Sequence, residues 1–541
     1  MVDVFYLNKR YRINTSDLKE IKGKYVIPDL NMTIDKISRA ILLDKQYKAF
    51  YIDSQKNIII PMHDAEFFVF RKTREINRKL WREDIIEGGY GSIRLLHPQN
   101  IIVKEVLPDI PVINMIKEIA FYKYLEGMRI TPSFYGFNLK KKQIYLEQGS
   151  CDFLDYTTTI FEKNLIPIML KLLKYVKHLS DHGLIHGDLR PENILISKRK
   201  EFQLIDFGIM EIEYNNTEPR KKDCKIQSYP YMAPEIMYSI HLDIQYPYTE
   251  KINIFSLGMI FAQLFGYVSG TDTVDRKTTT VMGILQEKIL GLHTTEEKRW
   301  VLQERYIHGE KSQIKRIRNT LQKNYIHKNR KPNKKLVNLL SRMLCFNPDI
   351  RISFEEAILH PIFRKIKRDR IWKTPVFTNE MPSMDIEKVW DKKLKFTFRK
   401  KLLDWFITFH GCPETLSLGI QLTDLCVLND FIPTMQYVQP MASVCMRLAS
   451  CLFESEAIEF GAINRGCDYA KYSDVESLRI LQTQIMEGLD GNILRPTIVS
   501  YCKKRNKFLG KQDVINLYNN TDVYKTSLRE FVNNFIFNKD A

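Results

Sequence analysis

The 541-residue sequence has no long apolar run, no Cys-x-x-Cys pair and no low-complexity tract. No stretch approaches the roughly 20 apolar residues that cross a bilayer, and the N-terminus lacks the order of a secretory signal peptide. Nine cysteines, an odd number, fit reduced thiols better than disulfides or a zinc site. We therefore expect no membrane segment and a location inside the cell, in the cytoplasm or the nucleus.

The composition is that of a globular protein, with 44% hydrophobic and 27% charged residues. The length suggests about two to four domains. A net charge of +18 fits nucleic acid, acidic proteins or anionic surfaces as partners. Basic residues concentrate at 311–335 and 364–370 without the interleaved aromatic pattern of a stacking platform, which favours solvated faces or surfaces for acidic protein partners over nucleic-acid binding. Abundant Ile, Lys and Asn are typical of an AT-rich genome, such as that of a protist or of a large DNA virus in its host cell.

Two short polar motifs lie in the stretch 184–208, between apolar runs typical of strands. Asp188 and Asn193 stand five residues apart, and a second carboxylate, Asp206, precedes a phenylalanine and a glycine. Transfer of a phosphoryl group needs a carboxylate that accepts the hydroxyl proton, and an amide and another carboxylate that hold magnesium on the phosphates. The residue types and their order indicate this chemistry.

These motifs resemble the catalytic loop and the Asp-Phe-Gly motif of the protein kinase family. The resemblance implies a two-lobed α+β fold that uses ATP and Mg²⁺. It assigns catalytic roles to Asp188, Arg190 and Asn193, and magnesium binding to Asn193 and Asp206. Arg190 stands where the family has a lysine and carries the same charge on a broader fork. With Ser228, it makes the sequence more similar to serine/threonine kinases than to tyrosine kinases.

The nucleotide-binding half of the domain is also similar to the family. Lys104 follows a strand-like run and matches the lysine that reaches the α- and β-phosphates. Glu118, in an apolar helical segment, matches the partner of that lysine. The other expected nucleotide-binding residues are Ile86, Gly88, Gly91 and Ile93 in a glycine-rich loop and Glu147 and Gly149 at the hinge. Ile86 replaces the first glycine of the family pattern, which should stiffen the loop.

Three positions in the second half depart from the family pattern. Gly187 replaces an arginine of the catalytic loop, and Asn253 replaces the aspartate that braces this loop. By resemblance, that arginine senses phosphate on the activation segment, where Asp223 occupies the usual phosphosite. The arginine that would bind the phosphate and the residue that would carry it are absent together, which predicts an activation segment that needs no phosphorylation.

The resemblance also implies a buried structural ion pair between Arg351 and Glu235.

Beyond residue 391 the pattern is helical to the C-terminus. The run 398–406 resembles the opening of a cyclin box, and Arg399 and Asp424 match the buried pair that holds such a box together. The triplet 116–118 is similar to the one that cyclin-dependent kinases present to their cyclin. The resemblance therefore implies the cyclin-dependent branch of the family, with a cyclin-like domain that acts in cis on the helix of Glu118.

The cyclin resemblance is incomplete at the docking residues. The lysine and the glutamate with which cyclins bind their kinase fall at Cys451 and Leu481. A tether within one chain would compensate, because it raises the effective concentration into the millimolar range. An unrelated helical bundle stays open as the alternative for this region.

The first 80 residues carry no recognisable chemistry. They contain strand-like runs at 24–27, 57–60 and 67–70 and a helical candidate from Thr33 to Leu43. The expected organisation is an N-terminal accessory segment at 1–80, a protein kinase domain at 81–363, a basic linker at 364–391 and an all-α, cyclin-box-like domain at 392–541.

The favoured function is transfer of the ATP γ-phosphate to serine or threonine hydroxyls of protein substrates, with the cyclin-like domain as an intramolecular activator. Two alternatives stay open. The substitutions at Ile86, Gly187 and Asn253 also fit a pseudokinase scaffold that binds partners without catalysis, although the complete catalytic set favours activity. In the other alternative, the basic surface binds nucleic acid and the kinase fold is incidental.

Overall fold

The structure is a computed structural model of the chain. The described residues are the strands within 2–70 and the ranges 83–88, 91–96, 101–126, 128, 130–158, 165–197, 200–212, 231–236, 248–266, 312–323, 332–366, 380–409, 411–429, 431, 438–454, 457–466, 475–503, 505 and 507–537. Among them, side chains are described for most positions from 91 onward.

The chain forms two compact units whose composition differs from the expected domain order. The first unit comprises Met1–Glu126, Pro132–Gln148 and Tyr472–Ile493, and the second comprises Gly127–Thr131, Gly149–Lys471 and Leu494–Ala541. A stretch of the expected C-terminal domain thus belongs to the same unit as the part expected to bind the nucleotide.

The N-terminal segment of the first unit contains short antiparallel strands. They are β1 Val2–Tyr6, β2 Lys9–Ile13, β3 Lys19–Ile21, β4 Lys24–Ile27, β5 Met32–Thr33, β6 Ile41–Leu43, β7 Ala49–Ile52, β8 Ile58–Ile59 and β9 Val69–Phe70. One sheet has the order β2-β1-β6-β7-β8-β9 and the other β3-β4-β5. The three strand-like runs predicted from the sequence therefore do contain strands.

The prediction of a helix from Thr33 to Leu43 is wrong at both ends. Thr33 lies in β5, and Ile41–Leu43 forms β6, which pairs antiparallel with β1 and β7. The apolar run fits both a helix and a strand period, and pairing with two neighbouring strands decides between them. Residues 34–40 lie outside the described part.

A third sheet of the first unit carries the expected nucleotide-binding residues. Its strands are β10 Glu83–Gly88, β11 Gly91–Leu96, β12 Ile101–Val106, β13 Phe134–Asn138 and β14 Gln143–Glu147. They form an antiparallel sheet of order β10-β11-β12-β14-β13. Helix α1, Val112–Leu125, follows β12, and all its residues from Met115 onward are buried except Lys117. A helix buried on nearly every side tolerates a charged residue such as Glu118 only when that residue is paired.

The second unit contains the catalytic motifs on short strands between helices. Its strands are β15 Cys151–Asp152, β16 Leu184–Ile185, β17 Ile194–Ile196, β18 Phe202–Leu204 and β19 Glu211–Ile212. Its helices up to residue 366 are α2 Phe153–Thr158, α3 Leu165–Asp181, α4 Lys251–Leu264, α5 Ser312–Lys323, α6 Lys334–Met343 and α7 Phe354–Ile358. Helix α4 packs against α3 and α6, and all residues from Ile252 to Ala262 are buried. This core helix supplies Asn253 to the catalytic loop.

The C-terminal region is helical, as predicted. Its helices are α8 Ile386–Lys393, α9 Phe396–Phe406, α10 Pro413–Leu428, α11 Val438–Phe453, α12 Phe460–Gly466, α13 Val475–Gly488, α14 Ile498–Lys503, α15 Lys511–Tyr518 and α16 Leu528–Val532. Helix α10 is central, because every residue from Glu414 to Val427 is buried and α8, α11, α14 and α15 pack around it. In the described part of the chain, no helix is long and apolar enough to span a bilayer.

A buried ion pair joins α9 to α10. Arg399 donates to both carboxylate oxygens of Asp424 at 2.8 Å, and each side chain is 1% exposed. Trp390 of α8, which is fully buried, donates its indole N–H to the same carboxylate at 2.9 Å. The pair predicted from the cyclin resemblance is therefore present, and the helical core begins before Lys392, inside the expected linker 364–391.

Candidate active site

The expected pair between Lys104 and Glu118 is present in the first unit. Lys104 lies in β12 opposite Ile93 of β11 and Ile144 of β14. Its ammonium contacts both carboxylate oxygens of Glu118, at 2.8 and 2.9 Å. The Glu118 side chain is 4% exposed and that of Lys104 is 20% exposed. The lysine charge is thus anchored by a buried carboxylate, and a fifth of the lysine side chain is exposed.

The glycine-rich loop is a hairpin of β10 and β11. Ile86 pairs with Ile93, and Gly88 pairs with Gly91. A Cβ atom on Gly91 would overlap the carbonyl oxygen of Glu105 in β12. Gly91 is therefore required by the sheet itself, in addition to any approach of a phosphate to its backbone. The residues between the two glycines, including Tyr90, lie outside the described part.

The hinge begins at Glu147, after the buried Leu146. The Glu147 N–H donates to the Ser133 carbonyl at 2.9 Å. The Ser133 hydroxyl donates to the Glu147 carboxylate at 2.8 Å. These bonds fix the backbone that is expected to meet adenine. No sequence motif marked Ser133, because its contact depends on strand pairing.

In the second unit, the amide of Asn193 orients Asp188. Its Nδ2 donates to the Asp188 carbonyl at 2.9 Å and to the Asp188 carboxylate at 3.0 Å. A 3-10 turn, Pro191–Asn193, brings the two residues together. The Arg190 Nε lies 3.9 Å from the Asp188 carboxylate. The catalytic residues expected on this loop are therefore neighbours, with a cation beside the expected proton acceptor.

The backbone that carries Asp188 is held by neutral groups. The Gly187 N–H donates to the Asn253 side-chain oxygen at 3.3 Å, so Asn253 braces the loop as predicted. His186, which is fully buried, lies with Nε2 3.1 Å from the Ile205 carbonyl. Burial lowers the pKa of His186, while the carboxylates of Asp188 and Asp206 act in the opposite direction. A neutral imidazole donating to Ile205 is consistent with this environment.

Asp206 occupies a backbone conformation that is uncommon for a non-glycine residue. Its φ is +65°, in the left-handed region, where such residues concentrate at functional sites. The preceding Ile205 N–H donates to the Asn193 carbonyl at 3.1 Å, which ties the two expected magnesium-binding segments together. Among the described residues, no group of three or more His, Cys, Asp or Glu side chains could hold a metal. The oxygen donors of Asn193 and Asp206 nevertheless suit Mg²⁺, which usually takes only one or two carboxylates and keeps substrate phosphates as ligands.

Gly149, expected at the hinge, lies in the second unit against Leu195. A Cβ atom here would be 2.9 Å from Leu195 Cδ1, so glycine permits this close approach.

The predicted structural ion pair between Arg351 and Glu235 is also present. Arg351 donates to both carboxylate oxygens of Glu235, at 2.7 and 2.8 Å. Asp223, Ser228 and the rest of the activation segment at 213–230 lie outside the described part.

The comparisons with known proteins agree with this geometry. Residues 98–363 match the family model for the protein kinase domain. GLH-binding kinase 1 of Caenorhabditis elegans is 27% identical over 249 residues, which cover 45% of this chain and 60% of that protein. Serine/threonine-protein kinase cds1 of Schizosaccharomyces pombe is 27% identical over 237 residues, 44% of each chain. Mitogen-activated protein kinase mpkC of Emericella nidulans is 29% identical over 196 residues, 35% of this chain and 42% of that protein.

The chain spans about half the length of these curated relatives. The family match begins at residue 98, yet β10 and β11, at 83–96, belong to the same sheet as β12. Protein kinases use ATP and Mg²⁺, and these relatives all carry the names of kinases. Residues 98–363 therefore form a protein kinase domain.

Proposed function

We propose that the chain is an ATP-dependent protein kinase that phosphorylates serine or threonine hydroxyls of protein substrates. The observation that carries the proposal is the pair between Lys104 and Glu118, at 2.8 Å. In kinases a lysine held by a helix glutamate is required to position the nucleotide phosphates. The orientation of Asp188 by Asn193 adds the proton acceptor that a scaffold without catalysis does not need.

The proposed roles follow from the chemistry of each side chain. ATP and Mg²⁺ supply the transferable phosphoryl group and neutralise its charge. Asp188 accepts the proton of the substrate hydroxyl, and Arg190 stabilises negative charge on the transferring group. Asn193 and Asp206 hold magnesium through oxygen atoms. The nucleotide is held by Lys104 and by backbone groups of the glycine-rich hairpin and the hinge.

The test is phosphoryl transfer by the full-length chain. Incubation with γ-labelled ATP, Mg²⁺ and a mixture of basic proteins should give phosphoserine or phosphothreonine after acid hydrolysis. Transfer should stop with EDTA and return with excess Mg²⁺. Nucleotide binding without transfer would contradict the proposal and support the pseudokinase scaffold, while phosphotyrosine as the product would contradict the hydroxyl class.

We further propose that the C-terminal helical region is a cyclin-like activator that acts in cis on α1. The support is a turn that follows α13 and contacts α1 within the first unit. The Lys123 ammonium lies 2.9 Å from the Asp490 carboxylate. At Gly491 a Cβ atom would be 2.5 Å from Ile119 Cγ2 and 3.2 Å from the Phe137 ring. The turn thus packs its backbone directly beside Ile119, the residue after Glu118.

This contact predicts that Gly491→Ala lowers the phosphoryl-transfer rate about tenfold, because the added methyl group must displace the turn or the helix that carries Glu118. The matched control is Gly183→Ala. Gly183 has φ +71° and Gly491 has φ +70°, but a Cβ atom at Gly183 would have no atom within 4 Å. Both variants carry the same backbone strain of about 1 kcal/mol, and only Gly491→Ala adds the collision.

The measurement is kcat and KM for ATP in both variants, with thermal unfolding followed in parallel. Equal rates in the two variants would contradict an activating role of the turn. A rate loss in Gly491→Ala alone, with a melting temperature close to that of Gly183→Ala, would support it.

A further inference from the structure

At Gly187 the catalytic loop has an unusual backbone conformation and an unusual neighbour. This residue has φ +78°, and a Cβ atom built on it would fall on the hydroxyl of Tyr248, 3.3 Å from Tyr248 Cζ and from the Ile209 carbonyl oxygen. The space beside Gly187 is therefore filled by the Tyr248 side chain. No sequence motif marked Tyr248, which precedes α4 by three residues.

We propose that Tyr248 is a positioning residue for Asp188, an inference that rests on the proposed kinase function. Tyr248 packs against Gly187, and Asn253 accepts the Gly187 N–H at 3.3 Å. The peptide that leads into Asp188 is thus confined by a phenol just before α4 and an amide in the first turn of α4. Neither group carries a charge, so the position of Asp188 does not depend on a cation at residue 187.

The steric contact at this point depends on both Gly187 and Tyr248. A side chain at 187 and the hydroxyl at 248 exclude each other, so each limits what the other position accepts. A smaller residue at 248 leaves a cavity beside Gly187. The Gly187 backbone, which glycine leaves conformationally free, then moves more widely and Asp188 moves with it.

The first experiment compares wild type, Tyr248→Phe and Tyr248→Ala in the full-length chain. We expect Tyr248→Ala to lower kcat at least about tenfold with little change in KM for ATP, because displacement of a catalytic group by about 1 Å costs up to 10²-fold. Tyr248→Phe keeps the ring and should retain most of kcat. If Tyr248 had a purely structural role, its substitution would lower the melting temperature and the fraction of active protein. The kcat of the active fraction would then not differ between Tyr248→Phe and Tyr248→Ala.

The second experiment tests the steric exclusion directly. Gly187→Ala should lose more kcat than Gly183→Ala, which has a similar φ but open space. The double variant Gly187→Ala/Tyr248→Phe removes the hydroxyl that the new methyl group meets, and should recover part of the loss.

The outcomes separate this inference from the proposed function. No transfer by the wild type overturns the kinase proposal and the positioning role together. Transfer by the wild type with an unchanged kcat in Tyr248→Ala, or no recovery in the double variant, overturns the positioning role alone.

Discussion

Asp188→Asn is expected to lower kcat for phosphoryl transfer by about 10²–10⁴-fold, the usual contribution of a positioned general base. The Asn193 amide donates to the Asp188 carboxylate at 3.0 Å and to its carbonyl at 2.9 Å. Asparagine at 188 would keep the second bond and the size of the side chain, while the basic oxygen is lost. The loss should therefore appear in kcat, with KM for ATP nearly unchanged.

The control is a surface substitution of the same type. Asp404→Asn replaces an exposed carboxylate of α9 and should retain the wild-type rate. Nucleotide binding, measured by titration with a fluorescent ATP analogue, should be similar in all three proteins. Wild-type kcat in Asp188→Asn would exclude Asp188 as the proton acceptor, even if the chain is active.

Asp424→Ala is expected to lower the free energy of unfolding by about 3–5 kcal/mol, because it leaves a buried arginine without its counterion. The Asp424 carboxylate accepts bonds from Arg399, from the Trp390 indole at 2.9 Å and from the Tyr524 hydroxyl at 3.0 Å. Burial opposes the charge of Arg399, and Asp424 offsets this effect so that the pKa of Arg399 is raised. Once the carboxylate is removed, Arg399 keeps its bond to the Tyr518 carbonyl at 2.7 Å but has no counterion to offset the cost of burial.

A double variant separates the charge from the packing. Arg399→Met/Asp424→Leu replaces both members by apolar side chains and should be less destabilised than Asp424→Ala, since no buried charge is left without a partner. Chemical denaturation followed by tryptophan fluorescence measures the difference. If the double variant loses as much free energy of unfolding as Arg399→Met and Asp424→Leu lose together, the two residues are not coupled.

The proposed catalytic residues could be recognised in the sequence because their arrangement depends on short-range order. Asp188 and Asn193 are brought together by one 3-10 turn. Lys104 could be recognised because it follows an apolar run that comes after the glycine-rich loop. Pairing of Arg399 with Asp424 followed from a resemblance of helices adjacent in the sequence. In each case the local pattern and the tertiary contact favour the same conformation.

Other features depend on contacts between distant residues. The run 41–43 became a strand because β1 and β7 pair with it. Trp390 joined the helical core through Asp424, although the basic stretch before it suggested a linker. The contact of Gly491 with Ile119 joins residues far apart in the chain, and Tyr248 meets Gly187 from a different part of the chain. No periodicity or motif in a single sequence encodes these approaches.

The order of the two units along the chain has a consequence for biosynthesis. The first unit consists of Met1–Glu126, Pro132–Gln148 and Tyr472–Ile493, so the ribosome makes its last piece long after the rest. At about 5–20 residues per second, the delay is some tens of seconds. Until that piece emerges, α1 lacks the turn that covers Ile119 and Lys123. A nascent chain that ends before this piece would thus display an incomplete first unit, in which α1 is uncovered beside Glu118.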